Sequence, residues 1–222
     1  VEHGDTDTAP YGLGTYASRS TPTAGAATAV ASRKIREKAR KIAGHLLEVS
    51  PDDVEWVDYK FQVKGVPGRS VTMKDVAFAA YTNFPQDVEA GLEAVDYYDP
   101  PNLTFPFGAY ICVVDIDRGT GAVKIRRFVA IDDCGNIINP MIVDGQIQGG
   151  VAHGIGNALL EWMRYDAGAQ PLTTSFADYL LPGANEVPRV AMTHLETPSP
   201  LNPLGVKVAG EGGTSPAASA IV

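Results

Sequence analysis

Cysteine is scarce: the 222 residues hold two, Cys112 and Cys134. Their wide spacing matches neither a zinc pattern nor a disulfide-dense scaffold, and they read as small thiols in or near a core. Positive charge is short as well. Lys plus Arg number 18 against 26 Asp plus Glu, a formal net charge of −8, which argues against broad attraction to nucleic acid or an anionic membrane. No run of about 18 apolar residues occurs, so no membrane span is expected. No basic-then-apolar leader opens the chain, and a soluble, non-secreted, cytoplasmic protein is the expectation. His3, His45, His153 and His194 are too scattered to suggest a metal held by protein ligands. A phosphate-loop lysine motif, a G-x-S-x-G elbow, internal repeats and low-complexity tracts are all missing.

What is present is globular. With 45% hydrophobic and 20% charged residues, the chain can bury a core of one or two lobes and is too apolar for general disorder. Its lead-in, "GDTDTAPYGLGTYASRSTPTAG", is rich in Gly, Ser and Thr and reads as a loop. Thr21-Pro22 then opens a helix to about Leu47, with Val30, Ile35, Ala39, Ile42 and Leu46 at helical spacing. Six of its nine residues from Arg33 to Lys41 are cations. That fits a solvated helix face, or a contact with phosphate or with an acidic neighbouring subunit.

"VEWVDYKFQVKG" alternates around a polar turn at Asp58 to Lys60, which predicts a hairpin. Thr72 followed by Asp75 predicts a capping box on a helix ending near Asn83. "FGAYICVVDID" and "AVKIRRFVAIDD" flank "RGTG" as a second hairpin. Asn139-Pro140 predicts a helix to about Met163, followed by strands near 162–165 and 190–197. Ser215 as N-cap with Pro216 at the first helical position predicts a final helix, short enough to be marginal unless it docks or continues. Hairpins mixed with separate helices, without regular strand–helix alternation, favour an α+β class. The start at Val1 and the brevity of that last helix suggest a piece of a larger polypeptide.

Two glycine-rich stretches carry the chemistry. The Asn139 helix holds Gly145, Gly149, Gly150, Gly154 and Gly156, each costing about 1 kcal/mol relative to alanine. Either another backbone packs closely there, or a flat ligand lies against the bare helix with Gln146 supplying a donor and an acceptor. "LGVKVAGEGGTS" sets one carboxylate, Glu211, among glycines that remove side-chain bulk around it. Lys207, four residues earlier, reads either as a second charge in the same site or as a surface lysine.

"GLGTYASRSTPTAG", "YYDPPNLTFPFGAYICVVDID", "AIDDCGNIINPMIVDGQIQGGVAHGIG" and "NPLGVKVAGEGGT", in this order, resemble the large, molybdenum-binding chain of the carbon monoxide dehydrogenase branch of the xanthine oxidase and aldehyde oxidase family. The match is to the C-terminal part of that chain, so residues 1–222 are expected to form its C-terminal molybdenum-cofactor-binding region. The resemblance implies a molybdenum-dependent oxidoreductase. A molybdenum–molybdopterin cofactor, in the cytosine dinucleotide form, is gripped by the protein without protein ligands to the metal, and a small-molecule substrate is oxidised. The implied partners are the N-terminal half of the same large chain, an iron–sulfur subunit and an FAD-binding subunit. Glu211 matches the family's active-site glutamate, a general base toward the molybdenum-bound oxygen or the substrate. Gln146 matches the position that hydrogen-bonds the pterin. Ser18, Arg19, Ser20 and Thr21 match the loop and helix start that contact the cofactor's phosphate-bearing portion. Oxidation of carbon monoxide is implied first, hydroxylation of an aldehyde or N-heterocycle second, and a non-catalytic binding or assembly module is the reading from another class. The family's substrate-facing loop lies in the N-terminal half. On its own, the 222-residue chain is expected to be inactive and free of molybdenum.

Overall fold

The computed structural model describes residues 4–9 and 11–222, so His3 lies outside the described residues. The chain divides into two compact units, residues 26–98 and residues 1–25 with 99–222. Helices and small antiparallel or mixed sheets make both, an α+β architecture.

In the 26–98 unit, helix α1 (Ala26–Leu47) buries Ala39, Ile42, Ala43 and Leu47, the helical spacing of one face. These residues pack on Val54 of β1 (Val54–Val57), on Phe61 and Val63 of β2 (Lys60–Val63), and on Val76, Ala79 and Ala80 of α2 (Met73–Thr82). The β1–β2 turn is Asp58-Tyr59 alone, with φ of +47° and +62°, the left-handed pair that a two-residue hairpin requires. Lys60 already belongs to the strand. A third strand, β3 (Val66–Thr72), extends the antiparallel order β1-β2-β3. It was not expected from the sequence because Pro67 and Gly68 weaken strand character, and an edge strand is where the ladder tolerates them. The Thr72–Asp75 capping box forms in both directions.

The cations of α1 are largely spent locally. Lys34 meets Asp96 at 2.6 Å, Arg40 meets Glu37 at 2.9 Å and Asp52 at 3.2 Å, and Lys38 reaches the Ala90 carbonyl at 3.4 Å. Exposed pairs of this kind contribute about 0–1 kcal/mol each, which favours the solvated-face reading of the run.

The other unit is built on β4 (Phe107–Ile116) and β5 (Val123–Asp133), the expected antiparallel hairpin, with β6 (Val190–Leu195) added parallel to β5. Helix α3 (Pro140–Leu159) makes the connection from β5 to β6, and α4 (Thr214–Ile221) lies against α3. Phe128, Ala130, Ile147, Val151, Ile155, Val190, Ala217 and Ile221 form the core between sheet and helices.

Four boundaries differ from expectation. Helix α3 stops at Leu159, not Met163, because the Gly156 carbonyl accepts from both Leu160 and Glu161 N–H, at 2.9 and 2.7 Å, closing the last turn. The strand expected near 162–165 is a single bridge, Tyr165 to Pro171, since Thr173 draws that segment into a side-chain-bonded loop. Strand β6 ends at Leu195, two residues short of the 190–197 expectation. The final helix starts at Thr214 with Gly213 as its cap and no side-chain cap bond, so Ser215 is inside the helix rather than its N-cap.

Candidate active site

The "NPLGVKVAGEGGT" segment is pinned residue by residue before it reaches Glu211. Asn202 accepts through Oδ1 from the Leu204 and Val206 N–H groups at 3.1 and 3.2 Å, and donates from Nδ2 to the Val206 carbonyl at 2.8 Å. Asn136 donates to the Leu204 carbonyl at 2.7 Å. Gly135, at φ +71°, bridges Val206 so closely that a side chain at 135 would strike the Gly205 carbonyl. Lys207 is neither a site charge nor a surface lysine: it is partly buried, with Nζ 3.0 Å from Asp133 Oδ1 and 4.7 Å from the centre of the Phe107 ring.

The chain then turns tightly. Gly212 N–H donates to Ala209 O at 3.2 Å and Thr214 N–H to Glu211 O at 3.3 Å. Glu211 is exposed at this turn, and among the described residues its carboxylate has no hydrogen-bond or ion-pair partner. It faces a cavity of about 550 Å³ whose wall includes Arg19, Leu103, Phe105, Phe107, Tyr110 and Asp132. The wall is mostly apolar, the ordinary character of a small-molecule site.

Of the residues expected at the cofactor, Arg19 shares this cavity with Glu211. Its guanidinium stacks 3.8 Å from the Tyr16 ring centre and donates to the Gly14 carbonyl at 3.0 Å. Ser18 Oγ accepts from the Gly210 N–H at 2.9 Å. A Cβ on Gly210 would lie 2.6 Å from that oxygen and 3.4 Å from Gln146 Oε1, so Ser18, Gly210 and Gln146 converge on one point. Ala17 and Ser18 hold φ of +49° and +54°, strained for side-chain-bearing residues. A π-helical turn follows at Thr21–Gly25, a feature frequent at functional sites. Ser20 pairs with Thr15 at 2.6 Å, and neither Ser20 nor Thr21 is among the cavity-lining residues.

The glycines of α3 divide between the two roles left open by sequence. A Cβ on Gly150 would come within 2.9 Å of Gly213 Cα, and one on Gly154 within 2.5 Å of the Ala217 Cβ, so these two exist to seat α4. Gly145 and Gly149 meet nothing within 4 Å. They leave a bare stretch of helix beside the exposed Gln146.

Sequence reasoning passed over Tyr110, Asp132 and Asp133. Both acids are buried at the end of β5, and the signal was available: two adjacent carboxylates closing an apolar strand must find partners. Asp133 finds Gly135 N–H at 2.9 Å and Thr197 N–H at 2.9 Å besides Lys207. Burial alone would raise its carboxyl, but these donors outweigh it and hold it down at about 2. Asp132 is raised by burial, partly offset by the hydrogen bond from Tyr110. Burial and the Asp132 carboxylate push the Tyr110 hydroxyl far up. Among the described residues no cluster of His, Cys, Asp or Glu could hold a metal ion.

The family model for the molybdopterin cofactor-binding domain matches residues 1–188. The chain belongs to this molybdopterin cofactor-binding family. Within it, the chain is 56% identical over 211 residues to the carbon monoxide dehydrogenase large chain of Afipia carboxidovorans, covering 95% of this chain and 26% of that protein. It is 38% identical to the nicotine 6-hydroxylase large subunit of Paenarthrobacter nicotinovorans, over 100% of this chain and 28% of that one. In structure it superposes on reconstituted CO dehydrogenase from Oligotropha carboxidovorans with a TM-score of 0.91 and 54% identity, over 98% of this chain and 27% of that one. Quinoline 2-oxidoreductase from Pseudomonas putida 86 follows, with a TM-score of 0.88 and 42% identity over 96% of this chain and 27% of that one. The chain thus spans about a quarter of the length of the relatives it matches.

Proposed function

We propose that residues 1–222 are the C-terminal cofactor-gripping region of a molybdenum hydroxylase large subunit of the carbon monoxide dehydrogenase type. One observation carries the reading: an unpartnered carboxylate, Glu211, on a bare Gly-flanked turn facing an apolar cavity, next to a convergence of Ser18, Gly210 and Gln146. The residues fit the cofactor. Gln146 has a free amide that can both donate and accept at the polar edge of a pterin, and Gly145 and Gly149 leave flat helix for it to lie on. Arg19 offers its remaining guanidinium N–H groups to phosphate oxygens. The hydroxyls of Ser20 and Thr21, exposed where the helix begins, suit the same phosphates.

When bound, the molybdenum–pterin group would supply the two-electron oxidation, with water as the source of oxygen. Glu211 takes the proton released near the reacting carbon, acting as general base. Leu103, Phe105 and Phe107 give a small substrate an apolar wall to lie against beside the acid. The cytosine dinucleotide form of the cofactor, an iron–sulfur subunit, an FAD-binding subunit, the remainder of the large chain and a cytoplasmic location all belong to this reading.

Glu211→Gln in the intact complex tests it. Molybdenum and pterin content should stay at the wild-type level while turnover falls by roughly 10²-fold or more; a variant that keeps its activity would remove Glu211 as the base. A second reading, hydroxylation of an N-heterocycle, draws support from the likeness to quinoline 2-oxidoreductase and nicotine 6-hydroxylase. Turnover of quinoline or nicotine, with none of carbon monoxide, would select it.

A further inference from the structure

On the helix-facing side of the sheet runs a line of polar groups that the role of Glu211 does not use. In the parallel β5–β6 pairing Asp132 stands opposite His194, so both side chains emerge on one face, the face on which Phe128, Ala130 and Val190 are buried. Asp132 also borders the Glu211 cavity and is 4% exposed. Its Oδ1 accepts from the Tyr110 hydroxyl, which lies 3.0 Å from the Gly212 carbonyl as well. On the far side, His194 Nε2 is 2.6 Å from Asp144 Oδ1. Asp144, on α3, is half exposed and opens to a surface cleft with Gln148 and Arg189.

Two buried atoms in this line have no partner, Asp132 Oδ2 and His194 Nδ1. Orphaned buried polar atoms are rare, and here they sit on directly opposed residues. A His194 that merely tied β6 to α3 would need only its bond to Asp144. That role leaves the bare Nδ1 without a reason.

We propose that Tyr110, Asp132, His194 and Asp144 form a proton path from the Glu211 cavity to the surface cleft at Asp144. The inference rests on the function proposed above, which releases protons inside a largely apolar cavity. Asp132 is hydrogen-bonded in either charge state. Ionised, it accepts from Tyr110; protonated, it donates to the phenol oxygen while the phenol turns to the Gly212 carbonyl. Burial favours the protonated form. As a proton from the cavity reaches the Tyr110 oxygen, the phenol passes its own proton to Asp132 Oδ1. The acid gives up a proton from Oδ2 to His194 Nδ1, through a water whose two protein partners are those orphaned atoms, and rotation of the carboxyl group then returns its proton to Oδ2. His194 releases its other proton from Nε2 to Asp144 Oδ1, and Asp144 gives it to solvent. Each step breaks one O–H or N–H bond and makes another, and no electrons move. An imidazole suits the relay because its two nitrogens can load and unload on opposite sides. The charged groups facing the line are Glu211 and Arg19 at the cavity end and Arg189 at the cleft.

The test uses the intact, cofactor-loaded enzyme. Asp144→Asn and His194→Gln should keep wild-type molybdenum content and KM, while kcat at low buffer falls by at least about tenfold. The solvent deuterium isotope effect on kcat should rise, and added imidazole should restore turnover in His194→Ala. A positioning role would show neither buffer dependence nor rescue. Both variants turning over at the wild-type rate, with unchanged isotope effect, overturn the path. Infrared spectroscopy gives a readout free of turnover: a carboxylic-acid C=O band that grows in as pH is lowered should be missing in Asp132→Asn and shift in His194→Gln. A band indifferent to His194 also overturns the path. A wild-type enzyme without molybdenum or turnover would sink the functional reading instead, and the infrared result would still judge the path.

Discussion

Asp133 shows how much one side chain can hold. It receives two backbone N–H groups and the Lys207 ammonium in a fully buried position, and so fixes Lys207 four residues ahead of Glu211. Because its carboxyl is held at about 2, below the ordinary value of 3.8, its stabilisation is complete above pH 4 and is lost as pH falls from about 4 toward 2. By linkage the contribution is about 2 kcal/mol. Urea denaturation between pH 6 and pH 2 should show this loss. Lys207→Met should destabilise by about 3 kcal/mol at pH 7, because it strands a buried carboxylate. An unchanged unfolding midpoint would mean that the lysine is not paired as described. The residue scale is also where sequence was least complete. The bare turn under Glu211 was legible from its glycines, whereas Gln146 and Arg19 came with the resemblance. The structure sets Arg19 on the same cavity as Glu211 and Gln146 beside Gly210, and their roles toward a cofactor are proposals. Tyr110, Asp132 and the true role of Lys207 were not legible, because spacing along one strand does not reveal which groups its neighbours bring.

At the scale of elements, the α3–α4 contact separates two kinds of glycine. Gly154 already touches Ala217 with no Cβ of its own, so Gly154→Val would force α4 off α3 and draw Ala217 and Ile221 out of the core they share with Phe128 and Ile155. A cost of roughly 1–3 kcal/mol or more follows from overpacking. Gly149→Ala meets open space, and removing a helix-interior glycine should stabilise by up to about 1 kcal/mol. Differential scanning calorimetry on the pair of variants should move Tm in opposite directions. A fall in both would mean that Gly149 is packed as tightly as Gly154. Periodicity and turn chemistry predicted α1, α2, the two hairpins and the start of α3, since local signals dominate there. The parallel addition of β6 and the first residue of α4 escaped, because a long-range strand pairing and the seat on Gly150 set them. The end of α3 escaped because the backbone bonds that close its last turn on the Gly156 carbonyl carry no signal in residue type.

For the molecule as a whole, each unit has its own core, yet the cavity unit leaves large apolar side chains in water. Phe105 is 70% exposed, Ile111 62%, Trp162 68%, Met141 78% and Phe176 77%. Exposed apolar surface on this scale marks contact with other protein. The chain covers only 26% of the carbon monoxide dehydrogenase large chain it resembles, so the rest of such a chain is the proposed cover. The same argument applies to the cofactor. Gln146 and Glu211 are both exposed, and a buried group on the scale of a molybdopterin cofactor needs walls on more than one side. The 222-residue chain purified alone should therefore contain no molybdenum by elemental analysis, whereas the full-length large chain with its partner subunits should be loaded. Stoichiometric molybdenum in the short chain would show that these residues enclose the cofactor unaided, and the exposed apolar side chains would then need a different partner.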